Sequence, residues 1–152
     1  MKVDPNSAEI RTGSGYPAPF HEPCMDRTRV RLGAAAGLRQ FGVNRLTLLP
    51  GTWSSQRHWH TREDEFVYVL SGEVVLITDE GETVLRAGDS AGFRAGVANG
   101  HHIVNRSERE AVLLEVGTDD PQDEADYPDI DMRLTPAAGF VRRDGTAYPK
   151  RE

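Results

Sequence analysis

The segment Arg57-His58-Trp59-His60-Thr61-Arg62-Glu63-Asp64-Glu65 sets two histidines two residues apart and follows them with a dense run of charge. Side chains at i and i+2 of a strand share a face, so His58 and His60 can present their imidazoles together to one ion while Trp59 points away. A turn over residues 61–64 leads back into Glu65-Phe66-Val67-Tyr68-Val69-Leu70, and a hairpin there would bring Glu65 beside the pair. A fourth ligand has to come from a distant strand. The later strand-like stretch that offers one is His101-His102-Ile103-Val104-Asn105, in which His101 and His102 compete for the role. Three imidazole nitrogens and one carboxylate oxygen suit zinc, iron, manganese, nickel or copper and leave positions open for water or substrate. A divalent transition metal held this way polarises a carbonyl, holds an enediolate, acidifies a water or, as iron, activates dioxygen. Isomerisation also needs a base, and His102 and Glu65 are the side chains in reach.

Other residues invite plainer readings. Arg57, Arg62, Glu63 and Asp64 read as surface charges. Trp53, Trp59, Phe66 and Tyr68 read as packing groups, with Trp59 free to join a dimer contact, and Phe93 reads as core. Arg94 is either a surface arginine or a rim residue whose planar fork binds a substrate carboxylate or phosphate. Cys24 has no histidine at a motif-like spacing and reads as a small packed residue rather than a reactive thiol. The acidic run TDDPQDEADYPDID reads as a solvated linker; it lacks the glycine and terminal glutamate of a calcium-binding EF-hand loop.

The elements that must position these groups are short strands. From residue 40 onward, runs such as FGVNRLTLLPG, EFVYVLSGEVVLITDEGETVLRAGD, HHIVNRS and AVLLEVG alternate with turn residues, and no long window holds a 3.6-residue apolar period. Ser71-Gly72-Glu73 and Asp79-Glu80-Gly81 are placed to turn two consecutive hairpins, and Asp144-Gly145 a terminal one across Phe140–Tyr148. The chain therefore reads as all-β, its strands closing into a jelly-roll barrel that hides their edges. A length of 152 residues implies one domain. Within it, residues 1–37, rich in Gly and Pro, read as an extended arm wrapping the body; residues 38–118 form the barrel; residues 119–152 supply the linker and a hairpin packed on the same domain.

A formal charge of −6 and a pI near 5.4, with no Lys/Arg cluster, disfavour nucleic acid and anionic membranes as partners and leave a small polar ligand. No apolar run approaches a membrane span or a leader peptide, and the single Cys24 excludes an internal disulfide and a cysteine zinc cluster, so a cytoplasmic protein is expected.

The spacing Gly51-x6-His58-x-His60-x4-Glu65-x6-Gly72 resembles the first signature motif of the cupins, with one extra residue before the first histidine. Gly88, Gly96, His101 and Asn105 are similar to the second, although Arg94 stands where proline is usual and two more residues separate Gly96 from the histidine. Counting back from Asn105 selects His101, with His102 as its rival. The wider run over residues 40–117 resembles small single-domain bacterial cupins described as sugar-phosphate-isomerase-like. The resemblance implies a barrel of antiparallel strands with a metal inside it, held by His58, His60, Glu65 and His101, and a homodimer formed by strand exchange. It does not imply one reaction. An isomerase or epimerase acting on a sugar or sugar-phosphate derivative leads. A non-catalytic ligand-binding or regulatory module and an iron-dependent dioxygenase are the alternatives, and a storage barrel, which needs no complete ligand set, is the weakest.

Overall fold

The computed structural model describes residues 2–149. Its strands are β1 (Ile10–Thr12), β2 (Arg27–Val30), β3 (Phe41–Leu48), β4 (Trp59–His60), β5 (Glu65–Ser71), β6 (Glu73–Thr78), β7 (Gly81–Arg86), β8 (Ser90–Phe93), β9 (His102–Val104), β10 (Ala111–Thr118), β11 (Ala125–Tyr127), β12 (Met132–Thr135) and β13 (Gly139–Val141). A short α-helix, α1 (Leu32–Ala35), packs on β3. All pairings between these strands are antiparallel, and they form three sheets with orders β1-β2-β3-β10-β5-β8, β13-β12-β11-β4 and β7-β6-β9. This is the expected all-β jelly-roll barrel. Among the described residues no helix is long and apolar enough to cross a membrane.

Alternation along each strand decides what faces inward. From the six-stranded sheet, Leu46, Leu48, Val67, Val69, Ala111 and Leu113 meet Val74, Leu85 and Ile103 of the three-stranded sheet in the main core. The opposite face of β5 carries Phe66, Tyr68 and Leu70, which are 42%, 38% and 47% exposed; Phe66 and Tyr68 are thus surface groups, not the packing groups expected. A second cluster joins Tyr16 and Cys24 of the N-terminal segment to Ala125, Tyr127 and Met132, with Phe20, Phe140 and Tyr148 against it. The C-terminal turn is closed by Gly145 N–H donating to Arg142 O (2.9 Å) and Arg142 N–H to Thr146 O (2.8 Å), in line with the Asp144-Gly145 hairpin.

Three local expectations give way to longer-range pairing. The N-terminal segment does not simply wrap the body: β1 and β2 extend the main sheet from the edge of β3, so Gly and Pro only punctuate strands there. Ser71-Gly72-Glu73 does not close a hairpin. It is a corner, because β5 pairs with β8 and β10 while β6 pairs with β7 and β9 in another sheet; only the β6–β7 hairpin forms. Nor do β4 and β5 pair, since β4 lies against β11.

Gly72 makes the corner possible. Its φ is +83°, and a Cβ on it would stand 2.8 Å from Glu110 O and 2.9 Å from Ala111 Cα, both backbone atoms that cannot swing aside. Gly72→Ala is therefore expected to lower stability by about 2 kcal/mol or more, from backbone strain and overlap together. Urea unfolding measures it, and an unchanged midpoint would show that the corner relaxes freely.

Candidate metal centre

The segment before β4 and the segment before β9 meet at a single antiparallel bridge. His58 N–H donates to His101 O (3.1 Å) and His101 N–H to His58 O (2.9 Å). Residues opposed in this way point their side chains to one side, and the two rings lie 4.9 Å apart. His60 follows two residues later on β4, its ring 4.9 Å from that of His58. Glu65 arrives from the opposing sheet, where it starts β5 between Phe93 and Gly117. It therefore reaches the histidines across the barrel interior rather than around the expected hairpin. Its Oε2 lies 2.7 Å from His101 Nε2, 3.5 Å from His58 Nε2 and 3.7 Å from His60 Nε2.

The neighbouring His102 faces elsewhere. Its Nδ1–H donates to Ser55 O (3.1 Å) and its ring stands edge-on to Trp53. The structure thus brings His101, and not His102, to Glu65.

Hydrogen bonds at the far side of two rings orient them. His58 Nδ1–H donates to Gln56 O (2.8 Å), and His60 Nδ1–H donates to the Asp123 carboxylate (2.5 Å), which leaves the Nε2 lone pair of each ring facing Glu65. His101 is held by Phe93, stacked on it at 3.6 Å and 2°. Burial pushes the His101 pKa down, and with it the cost of keeping that ring neutral. Burial alone would raise the Glu65 pKa, but the hydrogen bond from His101 and the surrounding imidazoles outweigh it and hold the carboxyl well below the usual range. One carboxylate and three imidazole nitrogens on a common point fit a divalent transition metal. The ligating atoms of His58, His60 and Glu65 all lie within 4.8 Å of one another. His101 Nε2 is free to ligate only in the tautomer that carries its proton on Nδ1.

Two acidic groups matter that sequence reasoning assigned to solvent. Asp123, from the supposed linker, has a side chain only 6% exposed. Besides His60 it accepts from Arg62 N–H (2.7 Å), Glu63 N–H (3.2 Å) and Thr61 Oγ1–H (3.3 Å). No spacing announces it; the available signal was that a ligating histidine needs an acceptor behind it, and the acidic run held carboxylates without a task. Glu63 is half-buried beside His60, and burial raises its pKa. Arg57 is also no plain surface charge: it forks onto Asp129 (2.7 Å to each oxygen) and binds Asp79, tying two loops to the histidine strand.

The cluster stands between two cavities that share His60, Glu63, Glu65, Phe93 and His101. The larger, of about 770 Å³, extends under the N-terminal segment past Tyr16, Arg27, Arg29 and Glu115. The smaller, of about 320 Å³, is bounded by the half-buried Trp59, the exposed Arg94, Val97 and Asn99.

A family model for the cupin domain matches residues 44–117. The structure is similar to that of a sugar phosphate isomerase from a cupin superfamily from Silicibacter pomeroyi, at 45% identity and a TM-score of 0.92, covering 98% of this chain and 97% of that one. It is similar also to a proposed sugar phosphate isomerase from Acidithiobacillus ferrooxidans, at 32% identity and a TM-score of 0.74, covering 83% and 82%. The polyketide cyclase RemF from Streptomyces resistomycificus, at 18% identity and a TM-score of 0.61 over 78% of each chain, shows the fold alone. No match was found among curated proteins. The chain belongs to the cupin superfamily.

Asp123→Ala should leave two backbone N–H groups and the His60 ring without their acceptor. A loss of about 3 kcal/mol in unfolding free energy is expected, far more than removal of a linker residue would give. Chemical denaturation decides it: a change within 0.5 kcal/mol, the range of ordinary surface substitutions, would contradict this role.

Proposed function

We propose that His58, His60, Glu65 and His101 bind a divalent transition metal, and that the protein is a metal-dependent enzyme of small polar metabolites, acting on a sugar or sugar-phosphate derivative by isomerase or epimerase chemistry. The observation that carries this is the convergence of three imidazole nitrogens on one Glu65 oxygen, with the outer nitrogens of His58 and His60 tied off by acceptors. The sugar phosphate isomerase named for the 45%-identical Silicibacter protein supports the substrate class. A divalent metal supplies the Lewis acidity that polarises a carbonyl and stabilises an enediolate. The chain supplies the rest. Glu65 and the histidines fix the polar end of the cavity, Phe93 and Tyr127 shield it from water, and Glu63, the carboxylate outside the ligand set that lines both cavities, is placed to move a proton. His102, committed to Ser55, is not. Iron in the same ligands would instead favour a dioxygenase, and a cavity without turnover a ligand-sensing module. The one free thiol suits a reducing, cytoplasmic setting.

Protein purified without chelator should carry about one equivalent of transition metal, and His60→Ala and His101→Ala should each lose it, by mass spectrometry. Because imidazoles must be neutral to ligate, and burial lowers the His101 pKa, affinity should hold at neutral pH and fall only as the medium becomes acidic. An enzyme that takes up none of zinc, iron, manganese or nickel at pH 7.5 would exclude the metal centre; a loaded protein inert on a panel of aldose and ketose phosphates would leave the sensing module.

The exposed row Phe66, Tyr68 and Leu70 supports a homodimer through the outer face of the main sheet. Light scattering should find a dimer, converted to monomer by joint Phe66→Asp and Tyr68→Asp substitution. A wild-type monomer would remove the claim.

A further inference from the structure

Strand β2 pairs Arg27 with Leu48 and Arg29 with Leu46, two leucines of the main core. Both arginines therefore stand on the inner face of the sheet, where alternation calls for apolar side chains, and both line the larger cavity. They are not equally satisfied. Arg29 is forked by Glu115 at 2.7 and 2.9 Å. Burial works against its charge, but the Glu115 carboxylate more than compensates and raises its pKa.

Arg27 is 7% exposed and has no such partner. Its guanidinium donates to two backbone carbonyls, Gly13 O at 2.9 Å and Ser54 O, and sits over the Tyr16 ring at 5.8 Å. Among the described residues no carboxylate pairs with it. Four carboxylates line the cavity, Glu63, Glu65, Glu115 and Asp119; the ion pairs of Glu63 and Glu65 go to the histidines and that of Glu115 to Arg29. The two other arginines of the cavity wall, Arg11 and Arg31, are paired with Glu9 at the exposed edge. Burial, and then the neighbouring Arg29, disfavour the charge on Arg27. A buried cation in this state is a site for an anion, because an arriving phosphate or carboxylate supplies the missing countercharge to a preset fork. Of its five N–H donors only two are engaged among the described residues.

We infer that Arg27, braced by Arg29, is the anion anchor of the larger cavity and takes the phosphate or carboxylate group of the ligand. The Ser54 carbonyl accepts from both arginines, Arg29 at 3.4 Å, and stands four residues before His58, so the anchor and the histidine cluster are built on one segment. A ligand held by its anionic end at Arg27 is thereby directed along the cavity toward Glu65. The assignment rests on the reading of this cavity as the ligand site, but not on a metal being bound.

Calorimetric titration of chelator-treated protein with inorganic phosphate, and separately with malonate, tests it. Arg27→Gln should weaken the preferred anion at least about tenfold, and Arg27→Lys should restore part of the loss. Glu115→Gln, which releases Arg29, should tighten binding severalfold; it also serves if Arg27→Gln does not fold. Preference for phosphate over malonate identifies a phosphorylated ligand, and the reverse a carboxylate. Equal affinity in wild type, Arg27→Gln and Glu115→Gln, or no binding of either anion, overturns the anchor. Binding that appears only after zinc is added and ignores both substitutions places the anion on the metal and also overturns it. Binding that depends on Arg27 in protein unable to hold zinc leaves the anchor standing while the metal centre fails.

Discussion

A carboxylate inside a barrel is tolerated only where donors meet it, and Glu65 organises the interior for that reason. Its Oε2 draws three imidazole nitrogens toward one point, and each of those rings is in turn fixed by something behind it: a backbone carbonyl for His58, Asp123 for His60, the Phe93 face for His101. Removing the carboxylate would leave the imidazole nitrogens aimed at empty space; removing His101 would leave a half-buried charge without its donor. The strands that supply these groups belong to different sheets, so the cluster also records that the barrel has closed correctly.

The N-terminal segment completes what the barrel alone leaves open. Pro23 O accepts from Trp53 N–H at 2.8 Å, Gln56 donates to Phe20 O at 2.6 Å, and Tyr16 and Cys24 pack with Tyr127 and Met132. These contacts fasten the segment over the loop that leads to His58. The same segment carries Arg27, so one stretch of chain closes the cavity and lines it with positive charge. Cys24 is fully buried there, and burial pushes its thiol pKa up, which makes it a packing group rather than a nucleophile.

What could be read from the sequence follows the range of the interactions. His58 and His60 were legible because the two-residue strand period puts them on one face, while Glu65 and His101 were legible from spacings that resemble the cupin signatures, the count back from Asn105, whose buried amide binds Leu48 O and Arg109 O, selecting His101. The route of Glu65 was not legible. A hairpin is the cheapest local connection, but β4 is two residues long and finds its partner in β11, more than sixty residues away. Gly72 was recognised as a turn glycine; that it turns between sheets depends on Ala111 pressing against it. Asp123 and Arg27 were hidden by composition, one within an acidic run and the other within a Gly/Pro-rich one, since charge density reads as solvent exposure unless partners are known.

Two parts of the larger cavity's wall differ in how their charge is balanced. In one, Glu65 is surrounded by three imidazole nitrogens, a surplus over what a carboxylate needs. In the other, two guanidiniums stand beside one carboxylate that pairs with Arg29 alone, a surplus of positive charge. Folding alone would favour apolar residues in both places, since a well-packed hydrophobic group of similar volume is at least as stabilising as a buried ion pair. Both surpluses face the same cavity. A barrel that only needed to fold would gain nothing from either, so their placement on the wall of one cavity is the structural argument behind the reading of that cavity as a site for a polar, anionic ligand.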